Sequence, residues 1–214
     1  MGPEIAAQAR EAEADLVGRL RERAGRLPIV TRAALEDQFS EIWPDDAELH
    51  DFHLLFSSRA GRRRRDAWEI EGREARADAL SAGLLASDDP AAIIDRWSDW
   101  LVEVGQAGSR DLGGWVLSRA LELAAKSDSA RIHPILDNLL AEPGPMVGHL
   151  APALAATYVE SPESKARAER ALGSEHELVR VVAVRAVGWS SLPDRGELVG
   201  TMVTDDTSAT SPSV

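Results

Sequence analysis

The amino-acid sequence predicts an all-α protein, in which helical hairpins stack as a short α-solenoid after a less regular helical N-terminal region. Three observations lead to this fold class. Apolar residues recur at a spacing near 3.6 along most of the chain. Helix-start signals containing proline recur, as "SDDP" at 87–90 and "ESPES" at 160–164. Residues 143–157 and 175–189 are near-copies of one apolar segment, 32 residues apart, and no alternating run typical of a strand occurs.

The first predicted region covers residues 1–86 and contains four helices, over 4–24, 31–43, 46–57 and 66–86. Its charge is unevenly spread, since the segment 36–51 holds seven acids and no Lys or Arg, whereas 59–65 holds five Arg. We expect the basic loop 59–65 to be solvated and to neutralise the nearby acidic segment. The alternative is that it contacts nucleic-acid phosphates, with stacking on Trp68.

The second predicted region, 87–203, has regular punctuation by capping residues and prolines. We expect one helix from Pro90, others over 111–125, 162–172 and 176–190, one across Ile132 to Leu140, one ending near Tyr158, and one across Leu198 to Val203. Residues 204–214 are polar and rich in turn-forming residues. They form either a flexible tail or the remainder of a truncated repeat.

Successive second helices of the hairpins share a register. Small or branched apolar residues recur at spacings of 31 and 32 in three sets: Val116, Val147 and Val179; Ala120, Ala151 and Ala183; Leu123, Leu154 and Ala186. In the first helices, Leu140 and Leu172 are also 32 apart. Two helices cross closely only where one of them carries little side chain. We therefore expect the recurring alanines to be buried where neighbouring helices nest.

The segment "ELVRVVAVRAV" at 177–187 is similar to the second helix of HEAT-like repeats of the armadillo-type α-solenoid superfamily. The acidic turn at 175–177, Val179, Arg180, Ala183 and Ala186 match that pattern. The resemblance covers roughly 90–203, and the earlier copies depart from it, with Leu117 and Gly148 at the position of Arg180. It implies stacked hairpins whose second helices line an inner wall, a surface that such arrays use for binding.

Four side chains are predicted to contact a protein partner: Arg180, Arg185, His149 and Trp100. The two arginines lie outside the apolar positions of their helix. They are either solvated or paired with acids of an adjacent repeat, or they contact a partner on the inner wall. We expect Trp97 and Trp115 to lie in the core where the first hairpin packs on the N-terminal helices, and Trp100 to be partly exposed as an interface anchor.

Catalytic and metal-binding motifs are weak or absent. In "ELHDFH", residues 48–53, His50 and His53 are three apart and could share a helix face with metal-ligand spacing. Phe52 and Leu54 instead favour ordinary amphipathic packing, so no metal is predicted. The chain has no Cys, no Gly-x-Ser-x-Gly elbow and no phosphate loop. No cofactor and no catalytic residue are predicted.

The composition bears on location and partners. A formal charge of −12 disfavours broad nucleic-acid binding and suggests a basic or mixed-charge protein partner. No apolar run approaches the ~18 residues of a bilayer span, and the N-terminus lacks the apolar stretch of a secretory signal. These features predict a cytoplasmic protein without a membrane contact. Arginine outnumbers lysine heavily and alanine is abundant, as is typical of bacterial genomes of high GC content.

Together these features predict a non-catalytic helical-repeat scaffold for protein–protein interaction, either complete or a fragment of a larger protein. Two alternatives stay open. The chain could be the sensor or regulatory arm of a larger bacterial nucleotide-switching signalling or defence ATPase. It could also be a HEAT-like DNA alkylation-repair glycosylase, with Asp95 or Asp99 beside the aromatic group Trp97, Trp100 and Trp115.

Overall fold

The computed structural model describes residues 3–38, 46–56, 67–106 and 113–200. Within these ranges all regular structure is helical and no strand occurs, so the prediction of an all-α protein is confirmed there. The helices are α1 Pro3–Ala24, α2 Ile29–Gln38, α3 Ala47–Phe56, α4 Ala67–Ala86, α5 Pro90–Gln106, α6 Gly113–Ser127, α7 Ser129–Ala141, α8 Ala151–Thr157, α9 Pro162–Leu172 and α10 Glu177–Trp189. A 3-10 turn spans Val147–His149, and a last helical segment covers 195–200.

Local signals set the starts of α5, α7 and α9. Asp89 accepts a hydrogen bond from the amide of Ala92 (3.1 Å), and Pro90 follows as the first residue of α5. Asp128 caps α7 and Ser161 caps α9 in the same way. Three parts of the chain lie outside the described residues: the basic loop 59–65, residues 39–45 of the acidic segment with Trp43, and the tail 204–214.

One predicted helix is divided. The segment before Tyr158 begins as the 3-10 turn Val147–His149 and becomes α-helical only at Ala151. Pro152 occupies the first turn of α8, where its missing N–H leaves no hydrogen bond unmade. The proline therefore starts a new helix and does not continue an existing one.

Helix contacts follow an alternating pattern. The most extensive contacts join α4 to α6, α6 to α8 and α8 to α10, and we call these four the row helices. The helices α5, α7 and α9, called the flanking helices, lie beside the row: α7 contacts α6 and α8, and α9 contacts α10. Because α4 contacts α6 so extensively, the predicted boundary at 86/87 falls between helices that pack together.

Small residues lie where the row helices meet. Ala120 and Ala183 are fully buried and Ala151 is 3% exposed, as the shared register predicts. Val116, Val147 and Val179 are buried beside them. The flanking helices are separated by open grooves, one of about 390 Å³ between α5 and α7 and one of about 580 Å³ between α7 and α9.

The N-terminal helices cover the first hairpin. Trp97 is buried, as expected, but Trp100 is only 3% exposed, so the expectation of a partly exposed Trp100 is wrong. The ring of Trp100 packs edge-on against Phe52 of α3 (centroids 5.6 Å apart), and the guanidinium of Arg96 lies 5.3 Å from its centre. Asp51 pairs with Arg96 at 3.3 Å. Helix α3 therefore covers the face of α5 on which the sequence predicts a partly exposed Trp100.

The start of α6 also lies close to α3. A Cβ at Gly113 would overlap the ring of Phe56 and approach the carbonyl oxygen of Leu55 to 3.1 Å. A side chain at this position would require the Phe56 ring to shift, so glycine suits this close approach of α6 to α3.

Candidate protein-interaction surface

A shallow groove of about 260 Å³ crosses the exposed side of three successive row helices. Its walls come from the start of α6, from the 3-10 turn with the start of α8, and from the end of α10. We call it the tryptophan groove, and its lining residues are Gly114, Trp115, Ser118, Gly148, His149, Ala151, Pro152, Arg185 and Trp189.

Trp115 lies on the polar face of α6. Its side chain is 44% exposed, so the expectation of a core position is wrong. Neighbouring helices cover α6 on several sides, and its buried residues centre on Leu117, Ala120 and Ala124. At 100° per residue Trp115 points away from that centre and shares its face with Glu122 and Lys126. A tryptophan there adds little to the core.

Trp189 and Arg185 belong to one exposed face of α10. Val179, Val182, Ala183 and Ala186 are buried, which confirms the predicted core side of this helix. The opposite face is unusually apolar for a solvated surface, and its exposed residues at helical spacing are Leu178, Val181, Arg185 and Trp189. Trp189, the last residue of α10, is 63% exposed.

The groove has a charge unlike that of the chain. None of its lining residues is a carboxylate, although the sequence has 36 Asp and Glu against 24 Lys and Arg. Arg185 is its permanently charged side chain and has no ion-pair or hydrogen-bond partner in the described part of the chain. His149 is half-buried beside it and makes contacts of its own.

The four side chains predicted to bind a partner therefore have different positions. Arg185 and His149 line the groove, whereas Trp100 lies in the core. Arg180 donates hydrogen bonds to the carbonyl oxygens of Ser174 (2.9 Å) and Glu175 (3.0 Å), just before its own helix. Its guanidinium thus holds the α9–α10 turn, and it forms no ion pair with an acid among the described residues.

Sequence reasoning missed Trp115 and Trp189 as surface residues. Two signals could have identified them. Trp115 shares its helical face with Glu122 and Lys126, the charged side of α6, and Trp189 continues the spacing of Leu178, Val181 and Arg185 on the exposed side of α10. What joins the two residues into one groove is the packing of α6, α8 and α10, which sequence spacing does not give.

The residues of "ELHDFH" serve as links between helices. Arg32 of α2 pairs with Asp46 (2.9 Å) and with Glu48 (2.5 Å), and the Nε2 atom of His53 contacts a carboxylate oxygen of Glu36. His50 is exposed. In the described ranges no three His, Cys, Asp or Glu side chains cluster as a metal site. The segment therefore fixes α2 against α3.

The aspartates proposed for a glycosylase do not join the tryptophans. Asp95 and Asp99 are exposed, while Trp97 and Trp100 are buried on the other side of α5. The groove that Asp95 lines, between α5 and α7, contains none of the three tryptophans. These side chains therefore do not form an aromatic pocket that an aspartate faces.

His133 and Tyr158 have pKa values that are shifted from their ordinary values. Burial lowers the pKa of His133 in α7, and the positive charge of Arg167 lowers it further, against a smaller opposite effect of Asp137. Burial raises the pKa of the Tyr158 hydroxyl. These groups lie outside the groove lining, so the groove combines aromatic surface with one cation and carries no acid–base pair.

Length and polarity of the described helices rule out a membrane span by any one of them. Comparison with protein-family models, with curated proteins and with solved structures found no match to this chain.

Proposed function

We propose that the chain is a non-catalytic helical-repeat scaffold that binds a protein partner on the exposed side of its row helices, at the tryptophan groove. The observation that carries the proposal is the convergence of Trp115, Trp189 and Arg185, which has no partner among the described residues, on one groove across three successive row helices. Tryptophan and arginine are the residues most enriched at the energetic centres of protein interfaces.

The packing pattern supports a curved HEAT-like stack. The row helices make the most extensive helix–helix contacts and bury alanines at corresponding positions, whereas grooves separate the flanking helices. A stack that is tight in one layer and open in the other bends toward the tight layer. The row helices would then form the concave wall, which is the surface that repeat proteins present to their partners.

Clustering distinguishes this surface from ordinary exposed apolar residues. Single exposed hydrophobic side chains are common on soluble proteins, whereas contiguous apolar patches mark interaction sites. Leu178, Val181 and Trp189 are each more than 40% exposed on one helix face, and Trp115 faces the same groove as Trp189. Exposure of so much apolar surface costs solubility unless a partner covers it.

Affinity capture of a partner with two matched triple variants tests this function. The groove variant combines Trp115→Ala, Arg185→Glu and Trp189→Ala. The control variant combines Val102→Ala, Val159→Ala and Arg170→Glu, which also removes exposed apolar surface and reverses one exposed charge, at positions outside the groove lining. Arg180 is left unchanged because it holds its own turn.

We expect the groove variant to lose the partner that the wild-type chain retains, and the control variant to retain it, with unchanged helicity in both. Equal retention by the two variants would remove the groove from the proposed function. The same surface would bind a partner if the chain were the regulatory arm of a larger nucleotide-switching protein. A phosphate loop encoded elsewhere in the same gene would favour that alternative.

A further inference from the structure

The proposed scaffold function leaves open what the groove recognises, and the following inference rests on it. We infer that the tryptophan groove binds an extended, acidic segment of the partner protein. Apolar side chains of that segment, proline among them, pack on the indoles of Trp115 and Trp189. A neighbouring carboxylate binds the guanidinium of Arg185.

The aromatic walls favour an extended ligand. Each indole offers a flat apolar surface and one N–H donor. The backbone carbonyls of a helix are already hydrogen-bonded within it, whereas those of an extended or polyproline segment are free to accept. Grooves lined by aromatic side chains bind proline-rich segments in this way, since such segments lose little conformational entropy on binding. Trp115 and Trp189 supply both the surface and the donors.

The charge of the groove selects an acidic segment. Arg185 is exposed and unpaired among the described residues, and no carboxylate lines the groove. A basic ligand would meet one like charge there and no counter-charge. A carboxylate would instead accept two parallel hydrogen bonds from the planar guanidinium. The overall charge of −12 suggests a basic partner, but the local charge of this groove has the opposite sign.

The floor of the groove lets a backbone approach closely. Three of its lining residues, Gly114, Gly148 and Ala151, carry little or no side chain. A Cβ added at Gly148 would meet no atom within 4 Å, so a larger side chain at this position enters open space. Gly148→Leu therefore adds a side chain to the groove lining at a position where its Cβ meets no other atom, and circular dichroism separates steric blocking from unfolding.

Three labelled peptides test the inference by fluorescence anisotropy with the full chain. The first is acidic and proline-rich (acetyl-EEPPLPPEE-amide). The second reverses its charge (acetyl-KKPPLPPKK-amide), and the third keeps the acids but lacks the apolar residues (acetyl-EEGSGSGEE-amide). We expect saturable binding of the first peptide and at least tenfold weaker binding of the other two, as expected for loss of charge-assisted hydrogen bonds or of the indole contacts.

Variants identify the contacts. Arg185→Glu should weaken binding of the first peptide by about tenfold or more, since one charge-assisted contact is replaced by repulsion. Gly148→Leu should abolish it. Arg170→Glu, an exposed charge reversal outside the groove, should leave it unchanged. Circular dichroism of each variant shows whether the helices are retained.

The outcomes separate this inference from the function on which it rests. The inference is overturned if the basic peptide binds as well as the acidic one, or if Arg185→Glu and Gly148→Leu leave acidic-peptide binding intact. If the acidic peptide fails while the groove triple variant still loses the captured partner, the scaffold function stands and the acidic segment is wrong. If the triple variant also retains the partner, both fail.

Discussion

The row helices and the flanking helices of this protein are stabilised differently. The row helices make the most extensive helix–helix contacts and bury alanines at corresponding positions, Ala120, Ala151 and Ala183. The flanking helices carry side-chain caps at their N-termini, from Asp89, Asp128 and Ser161. By contrast, the N-cap residues of α8 and α10 make no side-chain hydrogen bond.

The difference shows that the two kinds of helix have different packing requirements. A row helix depends on neighbours on both sides, so its side chains must be small where the helices cross. A flanking helix borders a groove, so local hydrogen bonds and a few large side chains hold it. One face of the row helices remains free of packing requirements, and this face carries the exposed tryptophans.

The largest expected effect is in flanking helix α5. Trp97 is 1% exposed and belongs to the hydrophobic core. Trp97→Ala should lower the free energy of unfolding by about 3–5 kcal/mol, through lost burial and the cavity left behind. Trp189→Ala, the same change at an exposed position, is the control and should cost far less. Urea denaturation of both variants measures the difference, and equal losses would contradict the placement of Trp97.

The next largest expected effect on stability comes from overpacking the row helices. Ala183 is fully buried where α10 meets its neighbours, so Ala183→Leu should lower the free energy of unfolding by about 1–3 kcal/mol. Ala166→Leu in α9 places the same side chain at an exposed helical position and should change stability little. Thermal denaturation compares the two. A wild-type melting temperature for Ala183→Leu would show that the row is not closely packed there.

Removal of a flanking-helix cap has a smaller effect. The Ser161 hydroxyl accepts a hydrogen bond from the amide of Ser164 at 3.1 Å. Ser161→Ala should therefore lower the free energy of unfolding by about 1 kcal/mol. Ser191→Ala, at an exposed position in a loop, serves as the control. Identical denaturation midpoints for these two variants would mean that α9 does not depend on its cap.

The smallest effect is a dependence on pH. Burial and Arg167 lower the pKa of His133 in the folded state below its ordinary value of 6.5. The unfolded chain then binds more protons as pH falls through 6.5, so stability should decrease toward lower pH in that window. His133→Gln should flatten the slope of stability between pH 7 and 5.5, whereas His50→Gln, at an exposed position, should not. An unchanged slope in His133→Gln would assign the dependence to another group.

The sequence predicts those features that depend on local chemistry or on the shared spacing of apolar residues. The starts of α5 and α9 follow from Pro90 and Pro162 with their capping residues, and the burial of Ala120 and Ala183 follows from the 32-residue register. The sequence predicts a partly exposed Trp100 and a buried Trp115, whereas the structure has Trp100 buried and Trp115 exposed. Coverage of Trp100 by α3 and the direction of Trp115 both depend on helices distant in sequence, which spacing along one helix does not reveal.

The candidate site follows the same division. Arg185 and His149 are among the residues that the sequence predicts to bind a partner, and both line the groove. Trp189 joins them only because α6, α8 and α10 are neighbours in space. Binding by any of these residues stays a prediction.

The most direct test of the division between row and flanking helices is native-state hydrogen exchange resolved by helix. Amides exchange slowly where opening requires global unfolding and faster where a helix opens alone. We expect α6 to exchange more slowly than α7, and α10 more slowly than α9, because each row helix is held by neighbours in the row. Equal or slower exchange in α7 and α9 would contradict a core that runs through the row.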